Sequence, residues 1–204
     1  MIKLPLVLLA ISSCSVISYG ELPLLIKDSI VGKDIEVTKD FYDSQFYSFS
    51  KIKIGRSTVA ITVLASIENG RYLWVSQDGE RIYTVNGKIS ETIGLKHNIK
   101  TLSGLGRSPS FSYKDIGLAQ TNQNNSLLEL SNPHAIISQQ STLINKGIDE
   151  NYFNAMLYEE IFTSGKLAFK GSNYYWVDPL GRVIKSEQSI HPRLPKVTIE
   201  FFYK

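Results

Sequence analysis

The sequence predicts a mainly β protein, in which an antiparallel β meander forms a barrel-like or sandwich domain with a few short helices. Three observations predict this fold class. Residues 58–65 alternate in period two and are rich in β-branched side chains. Turn-forming pairs recur at hairpin spacing, at Asn69-Gly70, Asp78-Gly79 and Asn86-Gly87. Each of the two tryptophans precedes a valine that is followed, four residues later, by a turn glycine.

The first half of the chain is predicted to form one short helix and four strands. The helix would cover residues 24–31 and end at Gly32. The strands are expected at Thr58–Ala65, Tyr72–Ser76, Arg81–Val85 and Lys88–Ile93. Because the turns between them contain Gly and Asn, which tolerate positive φ, neighbouring strands should pair as antiparallel hairpins.

The middle of the chain gives weaker signals. Residues 94–125 are polar and turn-rich, and strands are expected to resume at Leu127–Leu130 and Ala135–Gln140. Residues 152–162 fit both a helical face and strand alternation. The turn-like sequence that follows at 163–166 favours the strand.

The last part of the chain is again predicted as strands. A strand at 167–170 leads into a strand–turn–strand unit around Trp176, whose turn is Asp178-Pro179-Leu180-Gly181. A large aromatic side chain near a hairpin end covers the core and packs across strands, so hairpin physics alone explains why both tryptophans share one local sequence. The final strand, 196–204, should bury the face that carries Val197, Ile199 and Phe201.

Composition limits the classes of protein. The 204 residues are 43% hydrophobic and 20% charged, as in an ordinary globular domain, and the net charge of +3 does not suggest a nucleic-acid partner. No apolar run after residue 20 approaches 18 residues, so no membrane-spanning helix is expected.

The N-terminus predicts export and lipid attachment. Lys3 precedes a short apolar run, and Ile11-Ser12-Ser13-Cys14 resembles the lipobox of bacterial lipoproteins, in which the cysteine is diacylated and becomes the first residue. In such proteins Ser15, unlike an Asp at that position, favours the outer membrane. The predicted division is a signal peptide at 1–13, a lipidated tether at 14–24 and one β-rich periplasmic domain at 25–204. Ordinary secretory cleavage after Gly20 is the rival interpretation.

Motifs for catalysis and cofactors are weak. The three histidines, His97, His134 and His191, are far apart in sequence and have no ligand spacing, so neither a metal site nor any other cofactor is expected. Residues 103–108 begin like a dinucleotide fingerprint but lack its third glycine. No G-x-S-x-G elbow is present.

Two parts of the sequence resemble a known family. The first runs from Trp74 to Gly79 and continues through 86–89 and 92–95; the second comprises 175–179, 181–183, 186–188 and 192–195. Together with the lipobox they resemble the YjbF/GfcB family of group 4 capsule and exopolysaccharide lipoproteins. The resemblance implies an outer-membrane lipoprotein with a β-rich periplasmic domain that acts with polysaccharide export proteins. It carries over no catalytic residues.

Because the implied pathway handles sugar polymers, glycan binding and glycoside cleavage are two further possible functions. Sugars stack on aromatic rings and bind amide and guanidinium donors, which makes Trp74, Tyr175, Trp176, Arg182 and Gln188 candidates for contact with a glycan or a protein partner. A carbohydrate-active enzyme would need two carboxyls across a cleft. Its candidates are Asp149, Glu150, Glu159, Glu160, Asp178 and Glu187. If Glu159 and Glu160 lie on a strand, they point to opposite faces and cannot form that pair. A secreted glycan-binding protein is the remaining alternative.

Overall fold

The computed structural model describes residues 36–104, 106–107, 112–118 and 120–204. The short helix predicted at 24–31, the signal peptide, Cys14 and the tether lie outside these residues, and the domain division stays a prediction. The described chain contains α1 (Lys39–Ser44) and twelve strands. The strands are β1 (Phe49–Ile54), β2 (Ala60–Glu68), β3 (Arg71–Ser76), β4 (Arg81–Val85), β5 (Lys88–Ile93), β6 (Ile99–Ser103), β7 (Thr121–Leu130), β8 (Ala135–Asp149), β9 (Ala155–Ser164), β10 (Phe169–Val177), β11 (Val183–Gln188) and β12 (Val197–Phe202).

The twelve strands close into one antiparallel barrel. Each strand pairs with the next along the chain, and β1 pairs with β12 from Phe49 opposite Phe202 to Ile54 opposite Val197. The mainly antiparallel β fold class is confirmed, and of its two predicted forms the barrel is the one observed. Closure gives both β1 and β12 a partner on each side, so neither is a free sheet edge.

The first four predicted strands are confirmed, and their turns explain why. At Asn69-Gly70 both central residues have positive φ, 51° and 74°, and at Asn86-Gly87 the values are 48° and 73°. These conformations match type I′ turns, whose twist suits a tight hairpin. The first strand of the four begins at Ala60 instead of Thr58 and continues to Glu68.

The region from 94 to 149 differs most from the prediction. β6 and the first half of β7 lie within the stretch that was expected to be turns alone, and β8 continues nine residues beyond Gln140. The sequence TNQNN at the start of β7 has a low intrinsic preference for strands. It is extended because it pairs with β8, from Thr121 opposite Ile144 onward.

The strand interpretation of 152–162 is confirmed by β9. Its turn comes slightly later than expected, as a short 3-10 helix at Gly165–Leu167 followed by Ala168 at a φ of 49°. β10 is one continuous strand through 171–173, where the sequence predicted a break before Trp176. The last predicted strand is confirmed as β12, with Val197, Ile199 and Phe201 buried.

Strand direction defines two ends of the barrel. The chain enters β1 from α1, and the β2–β3, β4–β5, β6–β7, β8–β9 and β10–β11 connections reach the same end, which we call the α1 end. Tyr42 of α1 packs on Phe49 and Phe202, and its hydroxyl donates to the Tyr203 carbonyl at 2.7 Å. The other connections lie at the opposite end.

The core fills the inside of the barrel with apolar and aromatic side chains. Tyr113, on a 3-10 helix at Tyr113–Asp115 within the β6–β7 connection, packs against the rings of Tyr158 and Tyr175. The Tyr158 hydroxyl donates to the Tyr113 carbonyl at 2.9 Å. The connection therefore contributes to the core itself. No described helix has the length and apolar character that crossing a bilayer requires.

Candidate functional site

Trp74, the first predicted binding residue, belongs to the core. Its side chain is 0% exposed and packs against Tyr72 and Phe201. The indole Nε1 donates to Thr84 Oγ1 at 2.9 Å, which satisfies its one polar group inside the barrel. Its ring therefore has no free face for a ligand in this structure.

Gln188 is also inside the barrel, where it joins β11 to the β4–β5 hairpin. Its amide nitrogen donates to the Gly87 carbonyl at 2.8 Å, and its amide oxygen accepts from the Ile89 backbone N–H at 2.9 Å. The side chain is 1% exposed. Gln188 thus makes the hydrogen bonds that a buried amide requires, and makes them with the protein.

Trp176 and Arg182 lie towards the α1 end. Trp176 is 8% exposed, donates from Nε1 to Asp149 Oδ2 at 2.7 Å, and has the Lys185 ammonium 4.3 Å from its ring. The hydrogen bond from Trp176 lowers the pKa of the Asp149 carboxyl. Arg182 is exposed and forms an ion pair with Asp178 at 2.9 Å.

The five predicted binding residues therefore do not form one exposed surface. Trp74, Tyr175 and Gln188 are buried in the barrel, and Arg182 is exposed. Trp176 follows Tyr175 on β10 and therefore lies on the outer face of the strand, where Tyr152 and Lys185 cover it. Contact of the five residues with a glycan or partner stays a prediction. The three buried residues can contribute only from inside the barrel, by supporting the residues around them.

The most polar cluster inside the barrel is centred on Glu160, which the sequence offered only as a candidate acid. Glu160 is 1% exposed and forms an ion pair with Lys88 of β5. Asn173 Nδ2 and the Tyr175 hydroxyl each donate to Glu160 Oε2 at 2.9 Å. Burial raises the pKa of Glu160, but the Lys88 ammonium and the hydrogen bonds outweigh it, and the net pKa is below the ordinary value.

The carboxylate of Glu160 also acts on its neighbours. Burial and this negative charge raise the pKa of the Tyr175 and Tyr113 hydroxyls well above the ordinary value. Both tyrosines therefore stay protonated and serve as donors. One signal in the sequence points to this cluster: on a strand, one of Glu159 and Glu160 must face inward. Which one does so, and which cation it meets, depends on the closure of the barrel.

The carboxylates considered for glycoside cleavage are engaged elsewhere. Glu159 faces away from Glu160 and accepts from the Tyr174 hydroxyl at 3.2 Å. Asp178 pairs with Arg182, and Glu187 pairs with Lys185 at 3.1 Å. Among the described residues, these contacts bring no two of the candidate acids together across a cleft, as a glycosidase would need.

A cavity of about 540 Å³ lies against β7, β8 and β9. It is lined by Gln123, Asn124, Asn125, Gln140, Ser141, Thr142, Ile161, Phe162 and Thr163. Seven of these nine side chains are amides or hydroxyls, two are apolar, and none is charged. Such a surface can exchange hydrogen bonds with a neutral polyhydroxylated ligand. The sequence carries no signal for it, because three of its residues (123–125) lie in the stretch expected to form turns, and the others come from strands whose pairing the sequence does not predict.

Two histidines that are distant in sequence meet in the structure. The rings of His97 and His191 stack with centroids 4.9 Å apart. His191 is 1% exposed, and burial followed by the nearby His97 lowers its pKa. No group of three metal-ligating side chains occurs among the residues that the structure describes.

The chain is similar to known lipoproteins in sequence and in fold. The model of a family described as group 4 capsule polysaccharide lipoprotein GfcB, YjbF, matches residues 15–202. The uncharacterized lipoprotein YjbF of Escherichia coli K12 is 24% identical over 195 residues, which cover 90% of this chain and 88% of the relative. The crystal structure of the hypothetical lipoprotein YmcC from Escherichia coli K12 matches with a TM-score of 0.70 at 22% identity, over 88% of this chain and 92% of that one. That likeness supports the fold.

Proposed function

The chain belongs to the group 4 capsule polysaccharide lipoprotein family, and we propose that it is a non-catalytic accessory protein in the production or export of a surface polysaccharide. The observation that carries the proposal is the family match, which begins directly after Cys14 and extends to residue 202. The Escherichia coli relative that matches most of the chain is itself named a lipoprotein. A membrane-anchored protein of a capsule pathway is the coarse function that these findings support.

The finer location that we propose is the periplasmic face of the outer membrane. Cys14 would carry the lipid, and Ser15 favours transfer to the outer membrane. Several acyl chains hold a protein stably where a single one does not, since each buried methylene contributes about 0.8 kcal/mol. From this position the barrel would contact the export proteins of the same pathway.

A non-catalytic role agrees with the state of the acidic residues. Glu160 is buried in an ion pair with Lys88. Asp178 and Glu187 form ion pairs with Arg182 and Lys185. A general acid needs a carboxyl that reaches the glycosidic oxygen. The uncharged cavity on β7–β9 favours, as a second role, binding of a neutral stretch of the polysaccharide.

The test measures surface polysaccharide in a strain that lacks the gene. Wild type, Cys14→Ala and Ser13→Ala are reintroduced, and the membranes are fractionated in parallel. Ser13→Ala is the matched control, because it keeps a small residue before the cysteine. We expect the wild type and Ser13→Ala to restore the polymer, and Cys14→Ala to leave the outer membrane and fail.

Other outcomes would overturn parts of the proposal. Polymer that is unchanged in the deletion strain would contradict the role in polysaccharide production. Full restoration by Cys14→Ala would contradict the need for the anchor, and would favour a secreted glycan-binding protein or an enzyme. Cleavage of the purified polymer by the purified protein would contradict the non-catalytic role.

A further inference from the structure

The exposed apolar side chains are distributed unequally along the barrel axis. Seven large hydrophobic residues are more than half exposed among the described residues. They are Phe46 (86%), Tyr47 (63%), Ile67 (55%), Leu118 (71%), Ile148 (63%), Phe153 (83%) and Leu180 (70%). All seven lie at the α1 end, and we call them the apolar crown.

The crown follows the rim of the barrel. Phe46 and Tyr47 join α1 to β1, and Ile67 is the second-last residue of β2, beside the β2–β3 turn. Leu118 belongs to the β6–β7 connection, Ile148 and Phe153 to the tip of the β8–β9 hairpin, and Leu180 to the β10–β11 turn. Five of the six connections at this end therefore each present at least one exposed apolar side chain.

The rest of the described surface is different. The other exposed large hydrophobics, Ile93, Leu127, Ile136, Ile161 and Leu167, are between 37% and 47% exposed and lie on the wall or towards the opposite end. Isolated surface hydrophobics of that kind are ordinary. A ring of strongly exposed hydrophobic side chains at one end of a barrel is unusual, and such exposure marks an interaction surface.

The chain itself indicates what this surface meets. Cys14, the predicted site of lipid attachment, precedes Glu36 by 22 residues, a segment that can extend at most about 75 Å. That segment joins the barrel through α1, at the end that carries the crown. A lipid anchor at Cys14 would therefore keep this end within reach of the bilayer and raise its effective concentration there.

We propose that the apolar crown is a membrane-docking surface, which seats the α1 end of the barrel on the bilayer that holds the anchor. The proposal rests on the anchored location proposed above. Aromatic and aliphatic side chains at the tips of loops enter the interfacial layer of a bilayer. A single protein partner would be expected to select one contiguous patch, whereas a lipid surface can contact a whole rim.

The charges at this end refine the proposal. Exposed charges of both signs lie there in similar numbers, and neither sign predominates: the cations are Lys39, Lys114, Lys146, Arg182 and Lys204, and the acids are Glu36, Asp40, Asp43, Glu68, Asp115 and Glu150. Docking should therefore depend on apolar insertion, and it should change little with anionic lipid content or salt.

The experiment separates docking from lipidation. The chain from Ser15 onward contains no cysteine, and an N-terminal hexahistidine segment holds it on vesicles of phosphatidylethanolamine and phosphatidylglycerol with a nickel-chelating lipid. An environment-sensitive fluorophore is attached at Asn151→Cys, beside Phe153, or at Gln77→Cys, in the β3–β4 turn at the opposite end. Both positions are exposed.

Lipids with a nitroxide in the acyl chain should quench the label at position 151 at least about twofold, and the label at 77 hardly at all.

A second pair of variants tests the crown side chains. In the Asn151→Cys chain, Phe153→Ser with Leu180→Ser should abolish most of the quenching. The matched control, Leu127→Ser with Ile136→Ser, removes exposed apolar side chains from the wall and should leave quenching unchanged. Equal quenching at 151 and 77, or none at either, would overturn the proposal.

Two further readouts identify other causes. A blue shift of the label at 151 that rises with protein concentration in the absence of vesicles would mean that the crown binds a second copy of the chain, which also overturns the proposal. Acylation is read separately, from the mass of the protein extracted from cell membranes. Its absence would contradict the proposed anchor without changing the quenching of the tethered chain.

Discussion

At the scale of single residues, the buried pair of Glu160 and Lys88 is the feature with the clearest energetic consequence. Both charges are withdrawn from water, with side-chain exposures of 1% and 11%. A buried ion pair gives little net stability, because desolvation offsets the attraction. Removal of one partner is costly, since it leaves the other charge buried and alone.

We predict that Lys88→Met destabilises the barrel by about 3–5 kcal/mol, because Glu160 then remains buried without a cation. The double variant Lys88→Met with Glu160→Gln should recover much of the loss, since the amide still bonds to Asn173 and Tyr175. The measurement is the free energy of unfolding in urea at neutral pH. If the losses in unfolding free energy of Lys88→Met and Glu160→Gln simply added in the double variant, the ion pair would contribute no interaction energy.

The same carboxylate predicts a dependence of stability on pH. The pKa of Glu160 is lowered in the folded chain from an ordinary value of 4.5, so near and below that pH the unfolded chain binds more protons. Its contribution is therefore fully present above about pH 4.5 and is lost as pH falls through the folded pKa. The acid-induced fall in unfolding free energy should be smaller in Glu160→Gln than in the wild type. Identical acid profiles for the two proteins would contradict this assignment.

At the scale of structural elements, the tight turns carry most of the information that the sequence provides about the fold. Gly87 and Gly79 both have positive φ, 73° and 87°, in turns on either side of β4. A Cβ at Gly87 would lie 2.5 Å from Val183 Cβ, whereas a Cβ at Gly79 would meet no atom within 4 Å. The two positions share backbone strain and differ in packing.

We predict that Gly79→Ala costs about 1–2 kcal/mol of stability, from left-handed strain alone. Gly87→Ala should cost about 1–3 kcal/mol more, because the methyl group also displaces Val183 in the barrel. Thermal or urea unfolding of the two variants measures the difference. Equal losses would mean that the β4–β5 hairpin can move away from β11, and that the hydrogen bonds of Gln188 do not fix it.

These turns explain how much of the fold could be predicted. For strands between strong turn pairs, such as β3, β4 and β5, the predicted boundaries agree with the observed ones to within three residues. β6 and the amide-rich start of β7 were missed, because β6 is extended through its pairing with β7, and the start of β7 through its pairing with β8, and not through their own preferences. Tertiary pairing of this kind leaves no local signal in the sequence.

At the scale of the whole molecule, closure of the barrel determines contacts between distant residues, and the burial of side chains, that local sequence does not predict. Closure brings His97 to His191, and Lys88 of β5 to Glu160 of β9. It also encloses Trp74, Tyr175 and Gln188, which local sequence alone left open to solvent or core. Aromatic and amide residues suited to sugar binding are equally suited to a polar barrel interior, so their types could not separate the two roles.

Closure also brings the ends of the described chain together. Lys204 Nζ donates to the Tyr42 carbonyl at 2.6 Å, and its backbone N–H donates to Ser48 Oγ at 2.9 Å. A short flexible linker from Lys204 to Glu36 should therefore leave the barrel intact, and the chain can be reopened elsewhere. The turns on either side of β3 offer matched positions, Asn69-Gly70 at the α1 end and Asp78-Gly79 at the opposite end.

We predict that these two circular permutants fold alike but differ in function once residues 1–35 are placed before each new N-terminus. Opened at Asn69-Gly70, the chain keeps its anchor at the α1 end, and it should still place the apolar crown on lipid and restore surface polysaccharide. Opened at Asp78-Gly79, it is anchored by the opposite end, which lowers the effective concentration of the crown at the bilayer. It should do both less well, although it fractionates with the membrane. Circular dichroism and unfolding in urea check the fold, and quenching of a label at position 151 reports the orientation in the tethered form. If both permutants restored the polymer equally, the orientation of the barrel on the membrane would be irrelevant to the pathway, and the anchor would serve only to confine the protein there.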